Sequence, residues 1–552
     1  MNPARSTSDV LKVTALAMAV SLSAVGAACQ GCQVGASTPS GDAQTPDGKP
    51  TVRLYAVSSV AGALEPCGCT KDQLGGADHL AAFFAAEKAA APTAWTVSAG
   101  PLFFMEPQLT ADDRQQNLWK AEAIAQIGKQ IGLVAFAPGL NDWAGGAETL
   151  AKLRDTSSAA LLAGNLEGAP GAVPTLVREA GGIKIGFFGL ADPKDKVGRT
   201  PEGVKARPPM EAAKTAIDDL TKQGARILVG IAALPRGEAL RLADNFPQIS
   251  VLVLGKPAEA GDINDAPKPP VLLGGTLVVE TSNHLQAVGV IDLHVAPNEK
   301  KEGPIPFQDA GGVAKAEELL ALGARIRDLE QKINGWEGNK DVRPEDVAAR
   351  KADLEKLRAD KARVEAATVP VSGSFFRYRL VEVRDKLGVD GAVHDQMASF
   401  YKRVNEHNKT AFADRKPPPL EAGQAGYVGI DACTDCHDEE RKVWDGTPHA
   451  KAYPTLQKDF KEYNLECVSC HVTGYGKPGG STVTFNDKLQ NVQCEVCHGP
   501  GSLHAKDPNK KGLIVLKPSP ETCVSECHHP PHVEGFDAAA KMKLILGKGH
   551  GM

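Results

Sequence analysis

The chain has 552 residues, of which 42 % are hydrophobic and 23 % are charged, and its formal net charge is −5. This length allows about two to four domains with sizeable cores. The weak negative charge gives no indication of a nucleic-acid partner.

The first residues have the features of an export signal. Arg5 and Lys12 flank the start of a small-residue apolar run, 13–28, that is too short to predict a membrane span. The run ends in "GAAC", which resembles a bacterial lipobox with Cys29 as the lipidated residue. Gly26 stands where Leu is usual, so cleavage without lipidation is the alternative. We expect a signal peptide over 1–28 and a periplasmic protein anchored by lipid to the outer membrane.

A flexible tether and a layered domain follow the signal. Residues 29–50 include a stretch rich in Ser, Thr, Pro, Gly and Asp, which is typical of a linker. Over 51–300, apolar strand-like runs alternate with helical stretches such as 110–130 and 210–223, which predicts an α/β domain. The predicted strands lie within 51–60, 94–100, 133–139, 160–166, 183–190, 225–234, 249–255 and 276–282.

The order of these pieces is similar to the calcineurin-like metallophosphoesterases, in particular the 5′-nucleotidase branch. The stretch "QLGGADHLAAFFAA" resembles the Gly-Gly helix after the first strand of that family. An α/β domain unrelated to that family, without any site, is the alternative.

The metal ligands of that family are missing at the matching positions of this chain. Two-metal phosphoester cleavage needs about six hard or imidazole ligands around the metal pair. The matching positions hold Ser59-Val60-Ala61, Gly100-Pro101, Gly139-Leu140-Asn141-Asp142, Ala233 and "GKPAE" at 255–259. We therefore expect an inactive phosphoesterase-like scaffold that serves binding or docking; an active metal-dependent phosphohydrolase is the third functional hypothesis for the chain.

Two cysteines, Cys67 and Cys69, follow the first strand at the edge where an active site would lie. A redox or metal role, a disulfide to Cys32 and two structural thiols are all open, because exported thiols are usually oxidised or ligated.

The next segments connect this domain to the C-terminal one. Charged residues alternate with apolar ones at helical spacing over 314–333 and 346–367, which predicts a helical hairpin within 301–370. Residues 371–384 resemble a strand pair, and a Pro-rich linker closes the connector 371–426.

The last domain, 427–552, carries a repeated cysteine motif. Eight of the twelve cysteines and nine of the fourteen histidines lie in the last 120 residues. Cys-x-x-Cys-His occurs three times and Cys-x-x-x-Cys-His once, and the residues are Cys433, Cys436, His437, Cys467, Cys470, His471, Cys494, Cys497, His498, Cys523, Cys527 and His528. The spacing predicts c-type haem, with thioether bonds from both thiols and an axial iron ligand from the histidine. Zinc sites or disulfides would leave the four histidines unexplained.

The stretches "YVGIDACTDCH", "LECVSCHVTGYG" and "VQCEVCHGPGSLH" resemble the tetrahaem cytochrome c-554 family from about Tyr427 onward. The resemblance implies four haems in a small, mainly helical domain, with His449, His504 and His550 as distal iron ligands. It also implies one five-coordinate haem, at His471, unless His529 or His532 caps it. The extra residue in the fourth motif departs from the family pattern.

We therefore expect a multihaem electron carrier with redox partner proteins, anchored to a membrane through Cys29. The alternative is an oxidoreductase that acts on a small nitrogen compound (hydroxylamine, nitrite or nitric oxide) at a five-coordinate haem.

Overall fold

The computed structural model describes residues 48–66, 73–259, 263–336, 342–367, 369, 371–529, 533, 536–547 and 550. Within these ranges the strands are β1 (Val52–Ser58), β2 (Ala94–Ala99), β3 (Leu133–Ala137), β4 (Ala160–Leu161), β5 (Leu166–Glu167), β6 (Thr175–Ala180), β7 (Ile183–Ala191), β8 (Lys205–Ala206), β9 (Ile227–Ala233), β10 (Val251–Gly255), β11 (Val271–Leu273), β12 (Thr276–Val279), β13 (Ala287–His294), β14 (Gln308–Asp309) and β15 (Phe375–Glu382).

The α-helices in the same ranges are α1 (Ala77–Glu87), α2 (Arg114–Gln130), α3 (Ala147–Ser157), α4 (Pro209–Lys222), α5 (Arg236–Asn245), α6 (Ala316–Trp336), α7 (Pro344–Ala366), α8 (Gly391–Ala411), α9 (Ile430–Thr434), α10 (Asp438–Asp445), α11 (Ala452–Lys458), α12 (Val468–His471), α13 (Cys494–His498), α14 (Ser502–Lys506), α15 (Glu521–Glu526) and α16 (Ala538–Met542). None of these helices is long and apolar enough to cross a bilayer.

Two mixed sheets pack face to face. The first has the order β14-β15-β13-β1-β2-β3-β4 and the second β11-β12-β10-β9-β7-β6. Strands β1 to β4 run parallel, as do β7, β9, β10 and β12. The central strand β9, "ILVGIAA", is buried along its whole length, as a continuous apolar run in a parallel sheet requires. The α/β class predicted from the sequence is confirmed, and each of the eight predicted runs contains a strand.

Helices cover the outer faces of the two sheets. Helix α4 buries Ala212, Ala213, Ala216, Ile217 and Leu220, which lie on one face at helical spacing and contact the second sheet. Helices α1 and α2 pack near the first sheet, and α8 packs on both of these helices. Helix α8 and strand β15 both come from the segment that we expected to be a connector.

Two segments differ in detail from the sequence-based expectation. The segment 371–384 contains one strand, β15, rather than a strand pair, because β15 pairs with the distant β13, with Ile291 opposite Tyr378. The predicted helical hairpin is confirmed as α6 and α7. Its ends meet where the Lys315 Nζ donates to the carbonyl oxygen of Val364 at 2.7 Å.

The C-terminal region consists of short helices and loops around a small apolar cluster. In the described residues this cluster comprises Phe412, Tyr453, Val468, Val472 and Val483. A core of this size cannot stabilise a domain of such length alone, and small domains usually add covalent or cofactor cross-links. The second cysteine motif contributes Val468 to this cluster.

Candidate functional site

The first three motifs lie on single helical turns. In the first, the Cys436 and His437 amides both donate to the Cys433 carbonyl, at 3.3 and 3.0 Å. Side chains three residues apart on such a turn project to the same side. Helices α12 and α13 give the second and third motifs a similar turn. Each pair of thiols can therefore reach one group, with the histidine directly beyond it.

The fourth motif takes up its extra residue in a wider turn. The His528 amide donates to the Cys523 carbonyl at 2.8 Å, and the Cys527 amide to the same carbonyl at 3.3 Å. The bond from His528 spans five residues instead of four, which is the spacing of a π-turn. Cys527 and His528 thus keep the relation to Cys523 that Cys436 and His437 have to Cys433.

Two motif histidines face a second histidine. The ring centroids of His437 and His504 are 6.4 Å apart, and those of His449 and His528 are 6.3 Å apart. An imidazole nitrogen bonds a transition metal at about 2 Å, so two rings on opposite sides of one metal have centroids about 6 Å apart. Both pairs have this spacing, and the residues present fit two iron atoms with two histidine ligands each.

The other two motif histidines are oriented by backbone carbonyls. His471 Nδ1 lies 2.6 Å from the Ala452 oxygen, and His498 Nδ1 lies 2.6 Å from the Val515 oxygen. A carbonyl can only accept this bond, so Nδ1 carries the proton and Nε2 is left as the metal-binding atom. Burial lowers the pKa of His471 and favours the neutral ring that metal ligation needs.

The structure describes some of the remaining candidate site residues and not others. His529 lies close enough to Cys470 to lower the pKa of that thiol, although the hydrogen bond from Cys527 is the larger cause. His550 is exposed, and its amide bonds the Gly547 carbonyl at 2.9 Å. His532, Cys29, Cys67 and Cys69 lie outside the described residues, so the roles predicted for them stay predictions.

Cysteines of different motifs lie side by side. Cys494 lies close enough to Cys433 to raise the pKa of the Cys433 thiol, and Cys527 lies close enough to Cys470 to lower the pKa of the Cys470 thiol. All eight motif cysteines lie in the described part of the chain, and none forms a disulfide. The first motif is therefore next to the third, and the second next to the fourth.

A second cluster of predicted site positions lies at the carboxyl ends of the parallel strands. The Ser59 Oγ accepts from the Lys256 amide at 3.0 Å, and the Leu140 amide donates to the Pro257 carbonyl at 2.7 Å. A Cβ on Gly139 would lie 2.4 Å from Pro101. The loops predicted from the sequence to correspond to metal-binding loops thus meet at this edge, with backbone packed against backbone.

The carboxylates at this edge already have partners. Asp142 is completely buried and accepts from the Leu102, Phe103 and Gly139 amides at 2.9, 2.8 and 3.0 Å. Burial raises the pKa of Asp142 to about 7, against the opposing effect of these three bonds. Among the described residues, no group of three or more His, Cys, Asp or Glu side chains could hold a metal ion.

Two further polar groups lie near this edge, and the first includes Lys256 and Glu259 of the stretch "GKPAE". The Lys256 Nζ lies 2.8 Å from Glu259 and 2.5 Å from Asp265. His284 has a φ of 53°, and its Nδ1 lies 3.0 Å from the Asn264 Oδ1. Burial lowers the pKa of His284 to about 4. The polar run "ETSNH" directly after β12 was the available signal for His284, because such a run at a strand end marks an edge loop.

Residues 432–499 match the family model described as "Cytochrome c554 and c-prime". Cytochrome c-554 of Nitrosomonas europaea is 33 % identical over 117 residues, which cover 18 % of this chain and 50 % of that protein. Multiheme cytochrome MtrA of Shewanella baltica is 24 % identical over 156 residues, which cover 26 % of this chain and 40 % of that protein. The chain thus spans half or less of these relatives. The similarity indicates c-type haem as the cofactor of the C-terminal region.

Solved structures similar to the chain include a 5′-nucleotidase precursor from Thermus thermophilus. It is 15 % identical, with a TM-score of 0.43, over 78 % of this chain and 71 % of that one. A calcineurin-like phosphoesterase, YfkN from Bacillus subtilis, is 17 % identical, with a TM-score of 0.36, over 45 % of this chain and 86 % of that one.

Proposed function

We propose that the C-terminal domain transfers electrons through four c-type haems, one at each cysteine motif. The observation that carries this proposal is the distance between the rings of His437 and His504 and between those of His528 and His449, which matches the spacing of two imidazoles on one metal. When bound, each haem supplies a one-electron redox centre whose potential the axial ligands and surroundings set.

The protein residues hold and orient these groups. The paired thiols of each motif would hold a haem covalently, and the carbonyls of Ala452 and Val515 fix the tautomers of His471 and His498. The Cys433 and Cys494 thiols lie close together, as do those of Cys470 and Cys527, which supports close placement of the haems that these motifs would hold. Short distances between redox groups favour transfer from one to the next, and from there to a redox partner protein.

In this proposal the α/β domain is a scaffold without phosphohydrolase activity. Ser59, Ala61 and Gly100 have no charged side chain that could bind a metal ion. The Asp142 carboxylate already accepts hydrogen bonds from three backbone amides. The N-terminal signal and the lipobox-like sequence at Cys29 support a periplasmic location with a lipid anchor.

The spin state of the haems tests electron transfer against the alternative. Electron paramagnetic resonance of the oxidised full-length protein should give low-spin signals for the haems at the first and fourth motifs, unchanged by hydroxylamine or nitric oxide. A high-spin signal that responds to either compound, together with turnover of that compound, would instead support the oxidoreductase. Protein without covalent haem would refute both.

A further inference from the structure

Helix α2 of the α/β domain holds the turn that bears the second cysteine motif. The Gln116 Nε2 donates to the Asn464 Oδ1 at 3.1 Å, and its Oε1 accepts from the Leu465 amide at 3.1 Å. The Asn464 carbonyl accepts from the Cys467 and Val468 amides at 3.1 and 2.9 Å. Gln116 and Asn464 are both about 1 % exposed, so a buried polar network leads from the α/β domain to Cys467.

Helix α8 completes this buried network from the other side. The Asn408 Nδ2 donates to the Gln116 Oε1 at 3.1 Å and to the Tyr463 carbonyl at 2.8 Å. The nitrogen and the oxygen of the Gln116 side-chain amide therefore both have hydrogen-bond partners. These bonds fix the turn relative to helix α2.

Charged groups surround the same turn. The Lys120 Nζ donates to both Glu466 carboxylate oxygens at 2.9 and 2.8 Å. Lys461 forms an ion pair with Glu65, which lies near the end of the described part of the loop after β1. The Lys461 Nζ also lies 4.5 Å from the centroid of the Tyr401 ring. Two ion pairs thus cross from the α/β domain to the segment 461–466.

These charges lie close to the first thiol of the second motif. Burial raises the pKa of Cys467 to about 12, and Glu466, Lys461, Glu65 and Lys120 act on the thiol through smaller electrostatic effects. Charges that act on a buried thiol also act on a group attached to it, because screening by water is weak there.

We propose that the α/β domain forms one wall of the second haem site, and that Glu65 and Lys120 set the reduction potential of the haem at Cys467 and Cys470. Reduction adds one electron to that haem. A nearby carboxylate therefore disfavours the reduced state and a nearby ammonium group favours it. This inference rests on the proposed haem function, and it assigns the phosphoesterase-like domain a role in electron transfer.

The test is a potentiometric titration of the full-length haem-loaded protein, followed by optical spectroscopy. Glu65→Gln should raise the midpoint potential of one haem component, and Lys120→Met should lower the midpoint of the same component. That component should be missing from Cys467→Ser/Cys470→Ser protein. The matched controls Lys129→Met, on the exposed end of α2, and Glu148→Gln, on α3, should leave all midpoints unchanged.

A double variant distinguishes the effect of charge from that of misfolding. Removing both members of one ion pair, in Glu65→Gln/Lys461→Met, should return the shifted midpoint toward the wild-type value, which a distorted site would not do. Unchanged midpoints in variants that retain the wild-type haem content would overturn the inference and leave the proposed function standing. Wild-type protein without covalent haem would overturn the proposed function itself.

Discussion

The imidazole rings of His437 and His504 face each other with centroids 6.4 Å apart and planes inclined by 31°. His437 belongs to the first cysteine motif, whereas His504 follows the third, on helix α14. The contact therefore links two motifs. In the proposed function, His504 would therefore bind the iron of the first haem rather than that of the haem attached beside it in sequence.

Loss of His504 should open one coordination position. In His504→Ala, we expect one low-spin haem to become high-spin and to bind carbon monoxide when reduced, because the ring opposite His437 is gone. Electron paramagnetic resonance and optical spectra of the reduced protein measure this change. The control His394→Ala, on α8 and bonded to Asp78, should keep the wild-type spectra. Spectra that are identical for wild type and His504→Ala would show that His504 is not a ligand.

The wider turn of the fourth motif should still carry a haem. Cys523→Ser/Cys527→Ser is expected to reduce the haem content by one per chain, because both thioether bonds of that haem are removed. The pyridine haemochrome absorbance per polypeptide gives the count. Ser525→Ala, within the same turn, should retain the wild-type content. If the cysteine variant kept that content too, the fourth motif would not be an attachment site.

Gln116 should stabilise the contact between the α/β domain and the second motif. Gln116→Ala leaves the Leu465 amide without its partner and removes one of the two hydrogen bonds of Asn464 Oδ1 and of Asn408 Nδ2, and an unsatisfied buried group costs about 1–3 kcal/mol. We expect a free energy of unfolding lower by a few kcal/mol, measured by denaturant titration. The neighbouring exposed Gln115→Ala is the matched control and should change stability little. Equal stabilities of the two variants would contradict the network.

The pH dependence of stability should report on Asp142. Its folded-state pKa of about 7 lies above the unfolded value, so its contribution is complete at low pH and is lost as the pH rises through 7. Relative to Asp142→Asn, the wild type should lose free energy of unfolding between about pH 4 and pH 7, at up to about 1.4 kcal/mol per pH unit. Parallel curves for the two proteins would mean that the three backbone amides keep the carboxylate ionised throughout.

The edge of the parallel strands should not hydrolyse phosphoesters. With Mn²⁺ or Mg²⁺ added, we expect no release of phosphate from nucleotides above the rate of heat-denatured protein, since Ser59, Ala61 and Ala233 offer no carboxylate or imidazole. A metal-dependent release that is removed by a chelator would restore the phosphohydrolase hypothesis.

Local sequence patterns predicted the local structure well. The buried apolar runs indicated the central strands, and the motif spacing predicted turns with both thiols on one side, because these features depend on neighbouring residues. The strand β13 and its pairing with β15 were missed, since that pairing joins residues far apart in sequence. The partner of each motif histidine could not be assigned for the same reason.

Contacts between distant segments also determine the structure of the connector and the burial of Gln116. No element was predicted from the sequence for residues 391–411 within the connector, yet Met397, Phe400 and Val404 are buried against the α/β domain. Gln116 has no feature that distinguishes it from Gln115 in the sequence. Gln116 is the buried one of the two because Asn464 and Asn408, from other segments, contact its side chain.

The most direct test of the central claim is the number of covalent haems in the mature full-length protein. It is measured by intact mass together with the pyridine haemochrome spectrum, after expression in a host that matures c-type cytochromes. We predict four haems per chain. Three would show that Cys523 and Cys527 serve another purpose, and a chain without covalent haem would contradict the electron-transfer function.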